Sequence, residues 1–160
     1  MTRPAILTAI GGFFAALAAS VSAPRPAKAV EPGWDLTQAQ WRARLSPAAF
    51  AVLREHGTEP PFSSPLDHET HAGVYDCAGC ALALFSSKTK FDSGTGWPSF
   101  YAPIPHAIDT SADYSILEPR TEVHCHRCGG HLGHVFDDGP KPTGLRYCIN
   151  GLALTFKPES

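Results

Sequence analysis

Positive charge is scarce in this sequence. Of 160 residues, 13 are Lys or Arg and 15 are Asp or Glu, for a net charge of −2. That balance argues against a nucleic-acid binder, which needs cations to neutralise phosphates. Acids are missing altogether from residues 1–30, and the first is Glu31. No second apolar run long enough to span a membrane follows the one at the start. No βαβ alternation and no internal repeat are present, which points away from parallel α/β and solenoid architectures. What remains is a length suited to one ordinary domain, and five cysteines. An odd number cannot all pair within one chain.

The acid-free start has the layout of a secretory signal. Arg3 precedes the apolar run Ala5–Ala19, and the triplet Ala27-Lys28-Ala29 offers an A-x-A cleavage site. A cut after Ala23 is disfavoured because Pro24 would follow it. No twin arginine precedes the apolar run, so the general secretory route and a periplasmic destination are expected. Two alternatives stay open. Ile6 to Ala23 is 18 residues, close to spanning length, so the segment could be an uncleaved membrane anchor. It could also be an organellar transit peptide, although it is apolar and poor in arginine. Removing residues 1–29 takes away Arg3, Arg25 and Lys28, leaving 10 basic and 15 acidic residues and a charge of −5. The mature chain, 30–160, then reads as a single domain without a basic cluster or a stable membrane span.

Residues 34–57 read as a short helical arm. Thr37-Gln38-Ala39-Gln40 has capping-box form. Ser46-Pro47 supplies an N-cap followed by proline at the first helical position, and Gly57 supplies a stop. From 73 to 157 the pattern is β. Short runs at Gly73–Tyr75, Leu82–Phe85, Tyr114–Leu117, Thr121–His124, Leu145–Ile149 and Leu152–Phe156 are punctuated by Gly, Pro, Asp and Asn. The fold class is mainly β with an N-terminal helical arm.

Four cysteines form two knuckles, Cys77-Ala-Gly-Cys80 and Cys125-His-Arg-Cys128, separated by 44 residues. Two C-x-x-C pairs supply the four thiolates that tetrahedral Zn²⁺ takes. The long separation means that the β fold must bring them together. Redox dithiols, disulfides and a four-cysteine iron site are the competing readings.

Cys148 is left over. On a strand from Leu145 to Asn150, period two puts Leu145, Tyr147 and Ile149 on one face and Arg146, Cys148 and Asn150 on the other. The cation beside Cys148 favours its thiolate, the nucleophilic form. A lone cysteine in a strand can equally be inert filler. Two further segments bear on that choice. Gly129–Pro140 concentrates His131, His134, Asp137 and Asp138 between glycines. Such histidines can donate a proton near neutral pH. Three residues apart on a regular strand they would face opposite ways, so a bulge or loop at Gly133 is required. Phe91–Phe100 places Trp97 in a Gly-rich loop, either a core residue at a turn or an aromatic wall for a small thioether-like group.

Lys90–Phe100, Gly130–Phe136 and Leu145–Asn150, with the upstream Arg54–Glu59 and both C-x-x-C pairs in order, closely resemble the methionine sulfoxide reductases of type B. The match runs from about Trp34 to Phe156. The resemblance implies two antiparallel sheets in a sandwich or tent-like arrangement, with structural zinc on Cys77, Cys80, Cys125 and Cys128. It implies reduction of the R epimer of methionine sulfoxide, mainly in proteins, as oxidative damage repair. Cys148 would be the nucleophile, His131, His134, Asn150, Asp138 and Arg146 the remaining catalytic residues, and Trp97 and Phe136 the substrate-binding pair. His134 is the preferred proton donor, and attack by Cys148 on the sulfoxide would leave a sulfenic acid.

Many members carry a resolving cysteine in the loop before Trp97, where this sequence has Thr95. With the other four cysteines committed to metal, the sulfenic acid is expected to need an external thiol, from a thioredoxin-like or glutathione-linked donor. Export makes free thiols awkward, since the destination is oxidising. The alternative functions are a non-catalytic zinc module that binds a partner, and a thiol–disulfide oxidoreductase with metal-free C-x-x-C pairs.

Overall fold

A computed structural model describes residues 30–159, so the expected leader at 1–29 lies outside the described residues. The described residues open with two short helices. Thr37 closes a reciprocal capping box at the start of α1 (Gln38–Arg44): its hydroxyl accepts from the Gln40 N–H, and the Gln40 side chain accepts from the Thr37 N–H at 2.8 Å. Ser46 caps α2 (Pro47–Glu55), accepting from the Ala49 N–H at 3.2 Å, with Pro47 at the first helical position. Trp41, Phe50, Val52 and Leu53 form the buried face. The stop differs in detail from the sequence reading. His56, not Gly57, takes the left-handed conformation, at φ 57°. Gly57 is needed one residue later, where a Cβ would press to 2.9 Å from the Ala51 carbonyl oxygen.

Among the described residues, nine strands follow in two antiparallel sheets. The smaller has the order β2 (Ala83–Ser86), β1 (Gly73–Cys77), β9 (Leu154–Pro158). The larger has the order β3 (Lys90–Phe91), β4 (Ser99–Phe100), β8 (Arg146–Ile149), β7 (His131–Phe136), β6 (Arg120–Cys125), β5 (Ile108–Asp113). Aromatic rings lock the sheets together. Phe85 of β2 stacks on Phe100 of β4 at 4.4 Å, and Tyr75 of β1 meets the edge of Phe100 at 4.9 Å. Each of these rings is fully buried, and burying a side chain of that size contributes about 2–3 kcal/mol. The mainly β class with two antiparallel sheets and a helical arm is what the sequence implied.

Two strand expectations do not hold. Tyr114–Leu117 is a loop, and Tyr114, Ile116 and Leu117 are exposed. It joins β5 to β6, and β5 itself, Ile-Asp-Thr-Ser-Ala-Asp, carried too few apolar residues to show as a strand. β5 lies at a sheet edge and pairs on one side only, so backbone hydrogen bonds to β6 define it rather than apolar burial. The last strand starts at Leu154, since Gly151–Ala153 form a 3₁₀ turn.

Candidate active site and zinc centre

The two knuckles meet where the sheets approach one another. Cys77 ends β1 and Cys125 ends β6, with Cys80 and Cys128 in the turns that follow. Cys77 Sγ lies 3.7 Å from Cys128 Sγ, and Cys80 Sγ lies 3.5 Å from Cys125 Sγ. Sulfurs held about 2.3 Å from a tetrahedral zinc ion stand about 3.8 Å apart, so the spacing fits. It is too long for disulfides, whose S–S bond is about 2.05 Å. All four cysteines are buried and all four sulfurs are close enough to share one ion. The thiols compete for protons: hydrogen bonding from Cys125 holds Cys128 well below the usual thiol range, and Cys125 is pushed far up by Cys128. A divalent cation removes that competition by stabilising all four thiolates. The helical arm seals the site. Arg54 stacks over Trp41 and donates to the Cys128 carbonyl at 3.0 Å. Gly130 leaves room for it, because a Cβ there would sit 2.9 Å from the Leu53 side chain.

Cys148 opens on a small cavity of about 130 Å³ elsewhere in the larger sheet. Strand register builds the site. Ser99, Cys148, His134 and Glu122 are successive cross-strand partners on β4, β8, β7 and β6, so their side chains stand in one row. Trp97, Phe136, Asn150 and Gly133 complete the wall, together with Thr58 and Arg120. The bulge required of β7 is present. Val123 opposes Gly133 and His124 opposes His131, which leaves Leu132 unmatched. That shift brings the His131 and His134 rings within 5.4 Å, edge to face. Gly133 permits it, because a Cβ would strike the carbonyl oxygen of Cys148.

The expected site residues divide by position. Cys148, His134, Trp97, Phe136 and Asn150 line the cavity. His131 stands behind it, buried, with Nδ1 2.9 Å from Glu122 Oε1. Asp138 holds Arg146 through two 2.8 Å hydrogen bonds, and the guanidinium lies 4.4 Å over the Phe136 ring. Asn150 follows β8 rather than belonging to it. Its side-chain oxygen accepts from the Glu59 N–H, and its amide nitrogen donates to the Leu132 carbonyl, each at 3.0 Å. Much of its hydrogen-bonding capacity therefore goes to holding the bulge, leaving one amide hydrogen for the cavity.

Arg54–Glu59 ties the whole site together. Arg54 reaches the zinc knuckle, and His56 Nδ1 lies 3.1 Å from Glu122 Oε1 behind His131. Buried Glu59 accepts from the N–H groups of Gly151 and Leu152, and its carbonyl accepts from Trp97 Nε1 at 3.1 Å. Three site residues had no signal in the sequence: Asp113, Glu122 and Arg120. They are brought in by the β5–β6 hairpin, and only the pairing of that hairpin reveals them.

Electrostatics alter one sequence expectation. Burial pushes the Cys148 thiol above its ordinary value, against smaller opposing effects of Thr95 and Arg146. Arg146 favours the thiolate, as its place beside Cys148 implies, but by less than burial opposes it. Its charge is shared with Asp138, so burial wins. Burial likewise holds His134 below the usual imidazole range, although Asp113 works in the other direction. Thr95 Oγ1 lies 4.0 Å from Cys148 Sγ, so the residue nearest the thiol on that loop has a hydroxyl and no sulfur to offer. The site thus combines a thiol, an imidazole in the same cross-strand row, and an aromatic wall suited to a thioether.

A family model described as a SelR domain matches residues 45–158. A peptide methionine sulfoxide reductase MsrB of Agrobacterium fabrum is 52% identical over 128 residues, covering 79% of this chain and 95% of that protein. Proteins of the same name from Bradyrhizobium diazoefficiens and Pseudomonas putida are each 56% identical. They match over 124 and 126 residues, covering 77% and 78% of this chain and 89% and 95% of theirs.

Proposed function

The chain belongs to the SelR-domain family of type B methionine sulfoxide reductases, and on that premise we infer that it reduces the R epimer of peptide methionine sulfoxide to methionine. The observation that carries the reading at the site is the row of Cys148 beside His134, walled by Trp97 and Phe136.

Cys148 gives up its proton and its sulfur attacks the sulfoxide sulfur, while His134 supplies a proton to the oxygen. Oxygen passes from the methionine sulfur to Cys148, methionine leaves as a thioether, and Cys148 becomes a sulfenic acid. The thiol is oxidised by two electrons and the sulfoxide is reduced by two. Trp97 is fixed through its indole N–H to Glu59, leaving its ring face for the substrate methyl group. Arg146, held by Asp138 and stacked over Phe136, pulls the Cys148 thiol down, while Asp138 pushes it up.

With Thr95 beside Cys148 and the other four cysteines in the zinc site, the sulfenic acid is reduced from outside. A first external thiol forms a mixed disulfide with release of water, and a second thiol releases Cys148. A thioredoxin-like or glutathione-linked donor fits this sequence of steps. Export to the periplasm through residues 1–29 belongs to the same proposal. Among the described residues no helix is long and apolar enough to cross a membrane. Protein recovered from the periplasm should begin at Val30, whereas a start at Met1 in the membrane fraction would favour the uncleaved anchor.

The test of function is epimer-resolved. Zinc-loaded protein with dithiothreitol should consume the R sulfoxide and spare the S. Cys148→Ser should abolish that consumption and Thr95→Ala should retain it. Consumption of neither epimer would overturn the assignment.

A further inference from the structure

We propose that Asp113, fixed by Arg120, is a positioning residue that holds His134 as the Nε2–H tautomer and leaves Nδ1 for the substrate oxygen. This rests on His134 as the proton donor.

Asp113 is the last residue of β5 and pairs in register with Arg120, the first of β6, so the two close the neck of the hairpin. Oδ1 of Asp113 accepts from the Ser115 N–H at 2.9 Å. Oδ2 accepts from Arg120 Nη2 at 2.8 Å and lies 2.8 Å from His134 Nε2. Donors converge on this carboxylate, led by Ser115 and followed by His134 and Arg120, and they hold it well below the usual carboxylate range. An ionised carboxylate has no proton to share, so the proton on this contact belongs to Nε2. A histidine has only two ring nitrogens. With Nε2 turned to Asp113 while the ring lines the Cys148 cavity, Nδ1 is the nitrogen available to the sulfoxide.

The same pairing supplies the charge that proton donation needs. A neutral Nε2–H imidazole presents a lone pair at Nδ1, so donation from Nδ1 requires the imidazolium. Asp113 stabilises that form by its negative charge. Arg120 opposes it by its positive charge, yet fixes the carboxylate that provides it. Other titratable groups around His134 are Glu122 across on β6, Cys148 across on β8, and His131 on its own strand with His56 behind. Asp113 lies within hydrogen-bond distance of the His134 ring at Nε2.

The test is a ¹⁵N NMR titration of His134 in the zinc-loaded protein, paired with the pH dependence of a single turnover. The wild type should show the proton on Nε2 in the neutral form. Asp113→Ala should weaken that preference and move the His134 midpoint to lower pH, because a stabilising negative charge is lost. The matching limb of the rate profile should move with it, and the turnover at neutral pH should fall by about 10- to 100-fold. Asp113→Glu should recover part of both shifts, which a purely structural role would not produce. A wild-type spectrum with the proton on Nδ1 overturns the proposal even if Asp113→Ala fails to fold. So does an Asp113→Ala protein with an unchanged midpoint. If instead His134→Gln turns over at the wild-type rate, the donor assignment fails, and the NMR result still reports on Asp113 separately.

Discussion

At the scale of single residues, the site balances a buried thiol against one nearby cation. Cys148 is raised by burial and lowered by Thr95 and Arg146, while Asp138 raises it again. The sign of a change at Arg146 follows: without the guanidinium, less thiolate exists at neutral pH. Arg146→Met should slow iodoacetamide labelling of Cys148 at pH 7 by about three- to tenfold, since one unit of thiol pKa is a factor of ten in thiolate. Labelling of the wild type should rise with pH through a midpoint above that of an exposed cysteine peptide. The sequence placed Cys148 and Arg146 on one face by period two, and the structure agrees. The outcome of their interaction was not legible, because neither burial nor the Asp138 partner shows in a strand pattern. Thr95 makes a second residue-scale prediction. Thr95 Oγ1 lies 4.0 Å from Cys148 Sγ, so Thr95→Cys should convert the enzyme to one that forms an internal disulfide with Cys148 after turnover, detectable by peptide mapping.

At the scale of elements, the β7 bulge decides whether the site exists. It was foreseeable, because His131 and His134 cannot share a face on a regular strand. Its supports were not: Asn150 grips the Leu132 carbonyl, and Glu59 grips Asn150 from nearly a hundred residues away. Gly133→Ala should force β7 from β8, since the added methyl meets backbone and not a yielding side chain. Loss of measurable reductase activity is expected, with destabilisation of at least about 3 kcal/mol in urea unfolding. Glu59→Ala should cost about 3 kcal/mol in urea unfolding by stranding the backbone N–H groups of Gly151 and Leu152, while the main-chain carbonyl that accepts from Trp97 stays in place. The β5–β6 hairpin was the least legible element. The apolar-looking Tyr114–Leu117 is its exposed tip, and the polar β5 that delivers Asp113 pairs along one edge and is held by backbone hydrogen bonds and polar side-chain contacts to β6.

At the scale of the whole molecule, zinc joins the two sheets. Cys77 and Cys80 belong to the β1 side of the smaller sheet, Cys125 and Cys128 to the β6 side of the larger. The sequence spacing required a clamp between distant strands but did not say that each knuckle came from a different sheet. Chelation should therefore weaken the interface between sheets, lowering Tm by about 10 °C or more for a domain of this size. Zinc release should also begin as pH falls, because protons compete for the four thiolates.

The central claim is that Cys148 works without an internal partner, and one single-turnover measurement tests it most directly. Reduced, zinc-loaded protein is mixed with one equivalent of the R sulfoxide and dimedone in the absence of reductant, then mapped by mass spectrometry. The account predicts one methionine formed per chain and one dimedone adduct, on the Cys148 peptide, with the four zinc cysteines unmodified. A disulfide between Cys148 and any other cysteine of the chain, or methionine formed with Cys148 unchanged, would contradict it.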